Sequence, residues 1–304
     1  MRKIKVIVNP VSARGTTSKI WPDLKGTLHK KIGSFDVSFT EGIGHGIELA
    51  RQSLEAGYTW ILAVGGDGTL NEVINGFFYK GKNQYPRAAV SAIGTGTGGD
   101  FSKTVKSMYG FSSILHRPNE RFTDYMIDVG RLSCFEGERY FINMASIGLG
   151  GLVVKRINHD KLFKLLGGKI AYYAYTLITL LTFQNKVLRV VLNGKENIDT
   201  PIKNIAVANG MFQGGGMLMA PDAKPDDGSL DAIMFGDMNI QEMLLLTGKI
   251  YKGEHIHHKK IQCHQIQKLE VKYAGYLPLD VDGENFGSTP VVIECVKKAL
   301  RLRV

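Results

Sequence analysis

The sequence predicts a doubly wound α/β domain at the N-terminus, followed by a mainly antiparallel β-sandwich domain. Three observations predict this order. Apolar runs of strand length alternate with helical patterns in the first third of the chain, polar loops that contain glycine follow three of those runs, and β-forming runs come closely spaced after about residue 123.

The composition is that of a globular protein with a core of normal size. The 304 residues are 44% hydrophobic and 22% charged, which is enough for roughly two domains of ordinary size. No basic-then-apolar leader precedes the first strand, and three scattered cysteines form neither a disulfide framework nor a metal-binding spacing, so we expect a cytoplasmic protein. The net charge of +10 favours anionic partners such as nucleic acid, anionic lipid or nucleoside triphosphates.

The elements of the first domain follow from apolar periodicity. Buried strands are predicted at 4–8, 60–64 and 88–93, and helices at 43–56 and 70–77. Because strands that alternate with helices pair in parallel through crossover connections, these elements predict one doubly wound sheet.

The second domain is predicted from closely spaced β-forming runs, with Asn193-Gly194 as a hairpin signal and an inserted apolar helix at 161–183. We expect the first domain to span 1–123 and the second 124–296, with 297–304 returning to the first. The runs lie at 140–144, 187–192, 202–208, 230–235, 269–273 and 291–296.

The most informative stretch is GGDGTLNE, which begins at Gly65 and joins a buried strand to a helix. Glycine lets the backbone approach a ligand closely, and a strand-to-helix turn presents N–H groups and a positive helix end to phosphate. Two more polar loops, at 9–15 and 94–100, would lie at the same carboxyl edge of the sheet. A plain tight turn explains one glycine pair but not three such loops, so the pattern predicts a phosphate-binding site.

The glycine loop carries Asp67 at its centre. A phosphate cradle tolerates a carboxylate only beside a cation, so we expect Mg²⁺ there. The chain contains no G-x-x-x-x-G-K-[ST] motif, and this loop lacks G-x-G-x-x-G, which excludes a P-loop and a dinucleotide fingerprint.

At these residues the sequence resembles the diacylglycerol kinase catalytic family, which includes bacterial soluble lipid kinases and sphingosine kinases. The resemblance covers nearly the whole chain. It implies a phosphofructokinase- and NAD kinase-like domain that binds ATP, a β-sandwich-like lipid domain, and transfer of phosphate from ATP to a lipid hydroxyl, most simply that of diacylglycerol to give phosphatidic acid. The matching motifs are NPVSARG at 9–15, GGDGTLNEV at 65–73, GTGGDF at 96–101, IDVG at 127–130, FINMASIGLG at 141–150, NG…GGGM ending at 217, APDAKPDDGSLD at 220–231 and DVDGE at 280–284.

The resemblance also implies which residues hold ATP. Gly94 and Gly99 stand where the family more often has proline and asparagine, which leaves open whether Thr95 or Thr97 contacts phosphate; we prefer Thr97. The implied residues are Asn9, Pro10, Ser12, Thr40, Gly65, Gly66, Asp67, Gly68, Thr69, Asn71, Glu72 and Thr97.

Three carboxylates alternate near the C-terminus: Asp280, Asp282 and Glu284. In an extended segment they would point to one face and repel one another unless a cation or proton compensates; a solvated acidic turn is the alternative. The resemblance implies that Asp282 is the general base, with Glu284 assisting. Asp67 and Asp128 would complete an acidic network around the catalytic Mg²⁺.

A second, structural Mg²⁺ is implied at the DDG segment. Its ligands would be the Asp227 carboxylate and the backbone carbonyls of Lys224 and Ser229, although Asp-Asp-Gly is also a common turn. Nearby, a histidine cluster at 255–258 matches no zinc spacing and predicts a solvated basic face.

The longest uncharged apolar run, at 170–183, is too short to span a bilayer. It fits either a buried core helix or an interfacial helix beside five basic residues just upstream. We expect a peripheral protein at the inner membrane surface that meets its lipid substrate and anionic lipid there. We expect no nucleic acid partner, and a homodimer stays open.

Two other functions also stay open. NAD kinases and phosphofructokinases share the GGDG loop, so another kinase class is the first alternative. A non-catalytic nucleotide or lipid sensor on the same scaffold is the second. The DVDGE and APDAK segments favour a lipid kinase, and the intact carboxylates weigh against a sensor.

Overall fold

The structure is a computed structural model that describes residues 3–95, 99–117, 122–159 and 168–304. Its contacts divide the chain into two compact units. The first comprises Met1–Val129 and Val296–Val304, and the second comprises Gly130–Cys295.

The first unit alternates strands and helices, as the apolar periodicity predicts. Its elements are β1 Ile4–Val8, α1 Thr16–Ile32, β2 Asp36–Phe39, α2 His45–Glu55, β3 Trp60–Gly65, α3 Asp67–Asn75, β4 Phe78–Tyr79, β5 Lys82–Asn83, β6 Ala89–Gly94, α4 Asp100–Tyr109 and the first part of β7, Asp124–Cys134.

A parallel sheet with the order β2-β1-β3-β6 forms the centre of this unit. One face buries Val6 and Leu62 against Trp21 and Leu28 of α1. The opposite face buries Ile61, and there α2 contacts β1 while α3 contacts β3. Because apolar side chains are buried on both faces, the strands form continuous hydrophobic runs. The predicted doubly wound α/β domain is therefore confirmed.

The C-terminal segment adds a further parallel pairing to this sheet. Arg301 and Leu302 pair with Ala89 and Val90 of β6, and Arg303 forms a two-pronged ion pair with Asp124.

The second unit is mainly antiparallel. Its elements are the rest of β7, β8 Gly137–Phe141, β9 Met144–Gly148, α5 Leu149–His159, α6 Gly168–Thr182, β10 Lys186–Leu192, β11 Glu196–Ile202, β12 Asn204–Ala208, β13 Phe212–Gln213, β14 Met217–Leu218, β15 Leu230–Phe235, α7 Ile240–Lys252, β16 Ile261–Ile266, β17 Lys268–Lys272, β18 Pro278–Val281, β19 Glu284–Ser288 and the start of β20, Val291–Arg303.

Two layers of strands enclose the core of this unit. One layer has the order β16-β15-β12-β9-β18-β19, and the other contains β11, β10, β17 and the start of β20. Ile147 and Ile205 of the first layer lie in one apolar cluster with Val190 and Leu269 of the second. This packing is that of a β-sandwich and confirms the predicted fold class.

The outer face of the first layer is covered by helices. Ala206 and Phe235 lie in a second apolar cluster with Leu246 and Ile250 of α7, while α5 contacts β18. The close approach of α5 requires glycine, because a Cβ on Gly151 would lie 1.9 Å from the Pro278 carbonyl oxygen. Among the described residues, no helix is long and apolar enough to cross a membrane.

Two predicted strands are divided in the structure, and one predicted helix is described only in part. The run at 140–144 contains a break, since β8 ends at Phe141 and β9 begins at Met144. The run at 202–208 is divided between β11 and β12. Of the predicted 161–183 helix, the structure has α6 from Gly168 to Thr182, and residues 160–167 lie outside the described residues.

Candidate active site

Polar loops follow β1, β2, β3 and β6 at the carboxyl edge of the parallel sheet in the first unit. An open cavity of about 390 Å³ lies between two of them, lined by Gly65, Gly66, Asp67, Gly94 and Gly99 together with side chains of the sheet and of α3 and α4. Small residues leave the backbone accessible there, as a phosphate group requires. This is the position that the glycine-containing loops predict.

The first loop is tied to the glycine loop by a side-chain contact. The Asn9 amide donates to the Thr69 hydroxyl at 3.0 Å, and the same hydroxyl would lie 2.3 Å from any Cβ on Gly65. Gly65 therefore has to be glycine so that Thr69 can reach Asn9. Asn9, Gly65 and Thr69, three residues predicted to hold ATP, thus form one arrangement.

A cluster of hydroxyl groups joins the first loop to the loop after β6. Ser12 and Thr17 lie 2.5 Å apart through their Oγ and Oγ1 atoms, and Thr17 Oγ1 lies 2.5 Å from Thr95 Oγ1. Hydroxyl groups both donate and accept, so such a cluster can reorient toward phosphate oxygens. Thr97, the preferred phosphate contact, lies outside the described residues. Thr17 was missed by the sequence analysis.

Asp67 is the first residue of α3, next to the glycine-lined cavity. Its Oδ2 accepts the Asp100 backbone N–H at 3.0 Å. Burial raises the pKa of the Asp67 carboxyl above its ordinary value, and the neighbouring Asp100 charge adds to this, against hydrogen bonds that lower it. An ionised carboxylate here is costly without a cation, which fits the predicted Mg²⁺ site.

Three other residues that were predicted to hold ATP lie within or beside these loops. The Glu72 carboxylate accepts the Gly44 and Gly46 backbone N–H groups at 2.7 and 2.9 Å, which fixes the loop after β2 to α3. Thr40 is buried at the start of that loop, and its N–H donates to the Val8 carbonyl oxygen. Asn71 is buried within α3. Their predicted contact with ATP stays a prediction.

In the second unit, the three predicted carboxylates do not lie on one extended segment. β18 ends at Val281, and Asp282 and Gly283 form a two-residue turn with positive φ angles of 51° and 88° before β19 begins at Glu284. Asp-Gly is a preferred pair for this hairpin turn. The expectation that all three side chains share one face is therefore wrong.

The turn gives Asp282 a different environment from the one predicted. Its carboxylate accepts three backbone N–H groups, from Ile142, Asn143 and Met144, at 2.9 to 3.1 Å. The side chain is 8% exposed and bridges the bend between β8 and β9. Asp282 therefore stabilises this bend, and the break in the predicted strand at 140–144 has its cause here.

Asp280, by contrast, lines an open cavity of about 590 Å³ in the second unit. Gln213 donates to its Oδ2 and the Gly283 N–H donates to its Oδ1, both at 2.8 Å. The remaining lining is largely apolar and consists of Leu149, Val153, Met217, Met219, Phe235, Met243 and Ile250, with Ser146, Gly150, Thr176 and Asn204.

Comparison with known proteins identifies the family. Residues 3–120 match the model of the diacylglycerol kinase catalytic domain, and residues 143–304, more than half of the chain, match that of the YegS C-terminal NAD kinase beta sandwich-like domain. The chain therefore carries a diacylglycerol kinase catalytic domain, and it belongs to the family of the YegS C-terminal domain, whose model covers more than half of it.

Similar proteins cover nearly the full length of this family member. Proteins named diacylglycerol kinase from Staphylococcus epidermidis and Staphylococcus carnosus are 28% and 26% identical to it, over 95% of the chain and 88% and 90% of their own lengths. A solved structure of a candidate diacylglycerol kinase from Bacillus anthracis has the same fold, with a TM-score of 0.77 at 23% identity over 99% of this chain and 94% of its own. The chain is thus a lipid kinase, a phosphotransferase with an alcohol group as acceptor, and its family implies ATP as the donor.

The two remaining acidic positions of this kinase have defined contacts. Asp128 is fully buried, and its Oδ1 accepts the Lys298 backbone N–H at 2.6 Å. The Asp227 carboxylate accepts the Ser229 N–H at 3.0 Å and the Gln265 amide at 2.9 Å, which is the arrangement of a turn. The structural Mg²⁺ at Asp227, Lys224 and Ser229 stays a prediction.

The histidine cluster is not a solvated basic face throughout. His255 is 0% exposed, its Nε2 lies 3.0 Å from the Met219 carbonyl oxygen, and its ring stacks on Phe235. Burial lowers the pKa of His255, so it is a neutral core residue at neutral pH. The prediction of a solvated face was wrong for this histidine.

Proposed function

We propose that this enzyme transfers the γ-phosphate of ATP to the free hydroxyl of diacylglycerol and so forms phosphatidic acid. The observation that carries the proposal is the cavity of the second unit. Its lining combines seven large apolar side chains with a few polar ones, which suits a hydroxyl-bearing headgroup on an acyl chain.

The lining of this cavity also favours a lipid over a dinucleotide acceptor. A dinucleotide carries a pyrophosphate, which proteins bind with basic side chains or helix N-termini. Among the described lining residues none is basic, and seven are large and apolar. An NAD kinase-type activity would leave this apolar surface without a partner.

On the donor side, we propose that the loops of the first unit bind the phosphates of ATP. The N–H groups around Gly65 and Gly66 and the hydroxyls of Ser12, Thr17 and Thr95 would donate to phosphate oxygens. Asp67 would hold Mg²⁺. The chemistry that Mg²⁺ supplies when bound is neutralisation of phosphate charge, which a transferred phosphoryl group requires.

On the acceptor side, we propose that Glu284 accepts the proton of the lipid hydroxyl. Asp282 was the predicted base, but three backbone donors already engage its two oxygens, which leaves these oxygens less available to a substrate hydroxyl. Glu284 is half-buried at the start of β19, directly after the turn that Asp282 stabilises. Asp282 then acts by fixing the position of Glu284.

We propose that the enzyme works at a membrane surface through the exposed faces of two helices. Leu177, Ile178 and Leu181 of α6 and Leu244 and Leu245 of α7 are 45 to 77% exposed, and the two helices contact each other. Exposed apolar side chains of this size on a helix suit an interfacial position. Of the upstream basic residues, Lys155 bonds to Tyr276, Arg156 bonds to Thr179 and Thr182, and Lys161 and Lys164 lie outside the described residues.

The experiment that tests the function is transfer from γ-labelled ATP to a panel of acceptors in mixed micelles. The panel contains a diacylglycerol, a monoacylglycerol, phosphatidylglycerol, sphingosine and, without micelles, NAD. We expect Mg²⁺-dependent label mainly in the diacylglycerol product. Label in NAD alone would establish the other kinase class, and ATP binding without transfer to any acceptor would establish a sensor.

A further inference from the structure

Asp280 occupies a position for which the reaction so far gives no role. It lies on β18 directly opposite Ser146 of β9, so that both side chains leave the same face of the sheet, toward the cavity and its covering helices. Asp280 is 1% exposed, and Ser146 is also 1% exposed. A carboxyl group buried to this degree in the lining of a largely apolar cavity costs free energy unless it has a function or a partner.

The partners of Asp280 are neutral. Its two oxygens accept the Gln213 amide and the Gly283 backbone N–H, and Gln213 also donates to Ser146 Oγ at 3.2 Å. Within the described part of the chain, no lysine, arginine or histidine forms an ion pair with Asp280. The three side chains form a connected polar group in the lining of a largely apolar cavity.

We propose that Asp280, together with Gln213 and Ser146, binds the headgroup oxygens of the acceptor and makes the site select against lipids with an anionic headgroup. This inference rests on the proposed function, since it takes the cavity to be the acceptor site. It adds the residue that determines which class of lipid enters.

The state of the carboxyl supports an uncharged ligand. Burial, together with the charges of the nearby Asp282 and Glu284, raises the pKa of Asp280 to about 8, against hydrogen bonds from Gly283 and Gln213 that lower it. At neutral pH the carboxyl therefore keeps its proton, and it presents one O–H donor as well as acceptor oxygens. Hydroxyl and ester oxygens of a glycerolipid match this group.

An anionic headgroup fits less well in this cavity. A phosphate would find no basic side chain among the described lining residues and would lie near Asp282 and Glu284. The site therefore favours a neutral glycerolipid over phosphatidylglycerol.

The test compares Asp280→Asn and Asp280→Leu with the unchanged enzyme on dioctanoylglycerol and phosphatidylglycerol, between pH 6 and pH 9. Asparagine is neutral at every pH and keeps hydrogen-bonding atoms, whereas leucine removes them. Asp199→Asn is the matched control, because Asp199 is an exposed carboxylate on β11 of the same unit. Thermal unfolding establishes that each variant is folded.

We expect the activity of the unchanged enzyme to decline above pH 8 and that of Asp280→Asn to lack this decline. Because asparagine keeps hydrogen-bonding atoms, the KM of Asp280→Asn for dioctanoylglycerol should rise less than that of Asp280→Leu. Asp280→Leu should raise KM for the lipid about tenfold with a smaller change in kcat, which corresponds to the loss of hydrogen bonds to the substrate. A folded Asp280→Leu variant with unchanged KM would overturn the inference. So would preferential use of phosphatidylglycerol by the unchanged enzyme. If the unchanged enzyme phosphorylated no lipid, the proposed function itself would fail, a result independent of the variants.

Discussion

At the scale of single residues, the acceptor side depends on a two-residue turn. Asp280 and Asp282 are two positions apart, yet one lines a cavity and the other bonds to the backbone of a distant bend. Asp280 lies on the strand before the turn, whereas Asp282 lies in the turn itself, where positive φ angles at Asp282 and Gly283 reverse the chain. The two side chains therefore have different surroundings. In the sequence, the Asp-Gly pair predicts this hairpin, whereas the alternation of carboxylates predicts an extended strand. The structure contains the hairpin, because Asp-Gly is a preferred pair for such a turn.

Asp282→Asn and Glu284→Gln should therefore affect different properties. In Asp282→Asn, the new amide group would point N–H atoms at one or more of the three backbone donors, so we expect a loss of about 1–3 kcal/mol in the free energy of unfolding. Glu284→Gln should lower kcat by about 10²–10⁴, the effect of removing a general base. Urea denaturation and steady-state kinetics measure the two effects. A stable Asp282→Asn protein with an equally large loss of kcat would return the role of base to Asp282.

On the donor side, Asp67→Asn should lower the activity but preserve or raise the thermal stability. Because burial raises the pKa of Asp67, the ionised carboxylate destabilises the folded state at neutral pH, and a neutral amide removes that cost. The asparagine carbonyl can still accept the Asp100 N–H. We expect an equal or higher thermal midpoint at pH 7 together with a fall of about 10² or more in kcat/KM for ATP, since the proposed Mg²⁺ ligand is lost. Unchanged kcat/KM for ATP would contradict the assignment, and Asp36→Asn, an exposed carboxylate of β2, is the control.

At the scale of elements, the sequence predicted the strands of the parallel sheet better than its helices. β1 has the predicted limits and β3 differs by one residue, because buried parallel strands are continuous apolar runs. α1 was not predicted, since Pro22 and Gly26 lie inside it, and its stability comes from the burial of Trp21 and Leu28. The strand order also predicted that the polar loops lie at the same edge of the sheet. The contact between Thr17 and Thr95 could not be predicted, because it joins residues 78 positions apart and has no local signal in the sequence.

The exposed leucines of α6 and α7 give a prediction for these two elements. Leu181 and Leu245 are 65% and 77% exposed, so Leu181→Glu and Leu245→Glu should leave the core intact. We expect both to weaken sedimentation with vesicles and to raise the apparent KM for diacylglycerol in vesicles. The KM for a short-chain diacylglycerol dispersed below its aggregation limit should not change. Val187→Glu, at an exposed position on β10, is the matched control. Equal binding by all four proteins would exclude these helices as the membrane contact.

At the scale of the whole molecule, the net charge of +10 and the exposed apolar helix faces should make separable contributions to membrane binding. Screening acts on charge and not on apolar burial, because the Debye length falls from about 10 Å at about 0.1 M salt to about 3 Å at about 1 M. We therefore expect that sedimentation with vesicles rich in anionic lipid weakens as salt is raised across that range, until it equals the binding to neutral vesicles. Binding to neutral vesicles should stay nearly constant with salt and should be lost in a Leu181→Glu, Leu245→Glu double variant. Because the measurement is made without ATP, the salt dependence of nucleotide binding does not enter. If binding to neutral and anionic vesicles fell in parallel with salt, the charge of the chain would not be what directs this kinase to an anionic surface.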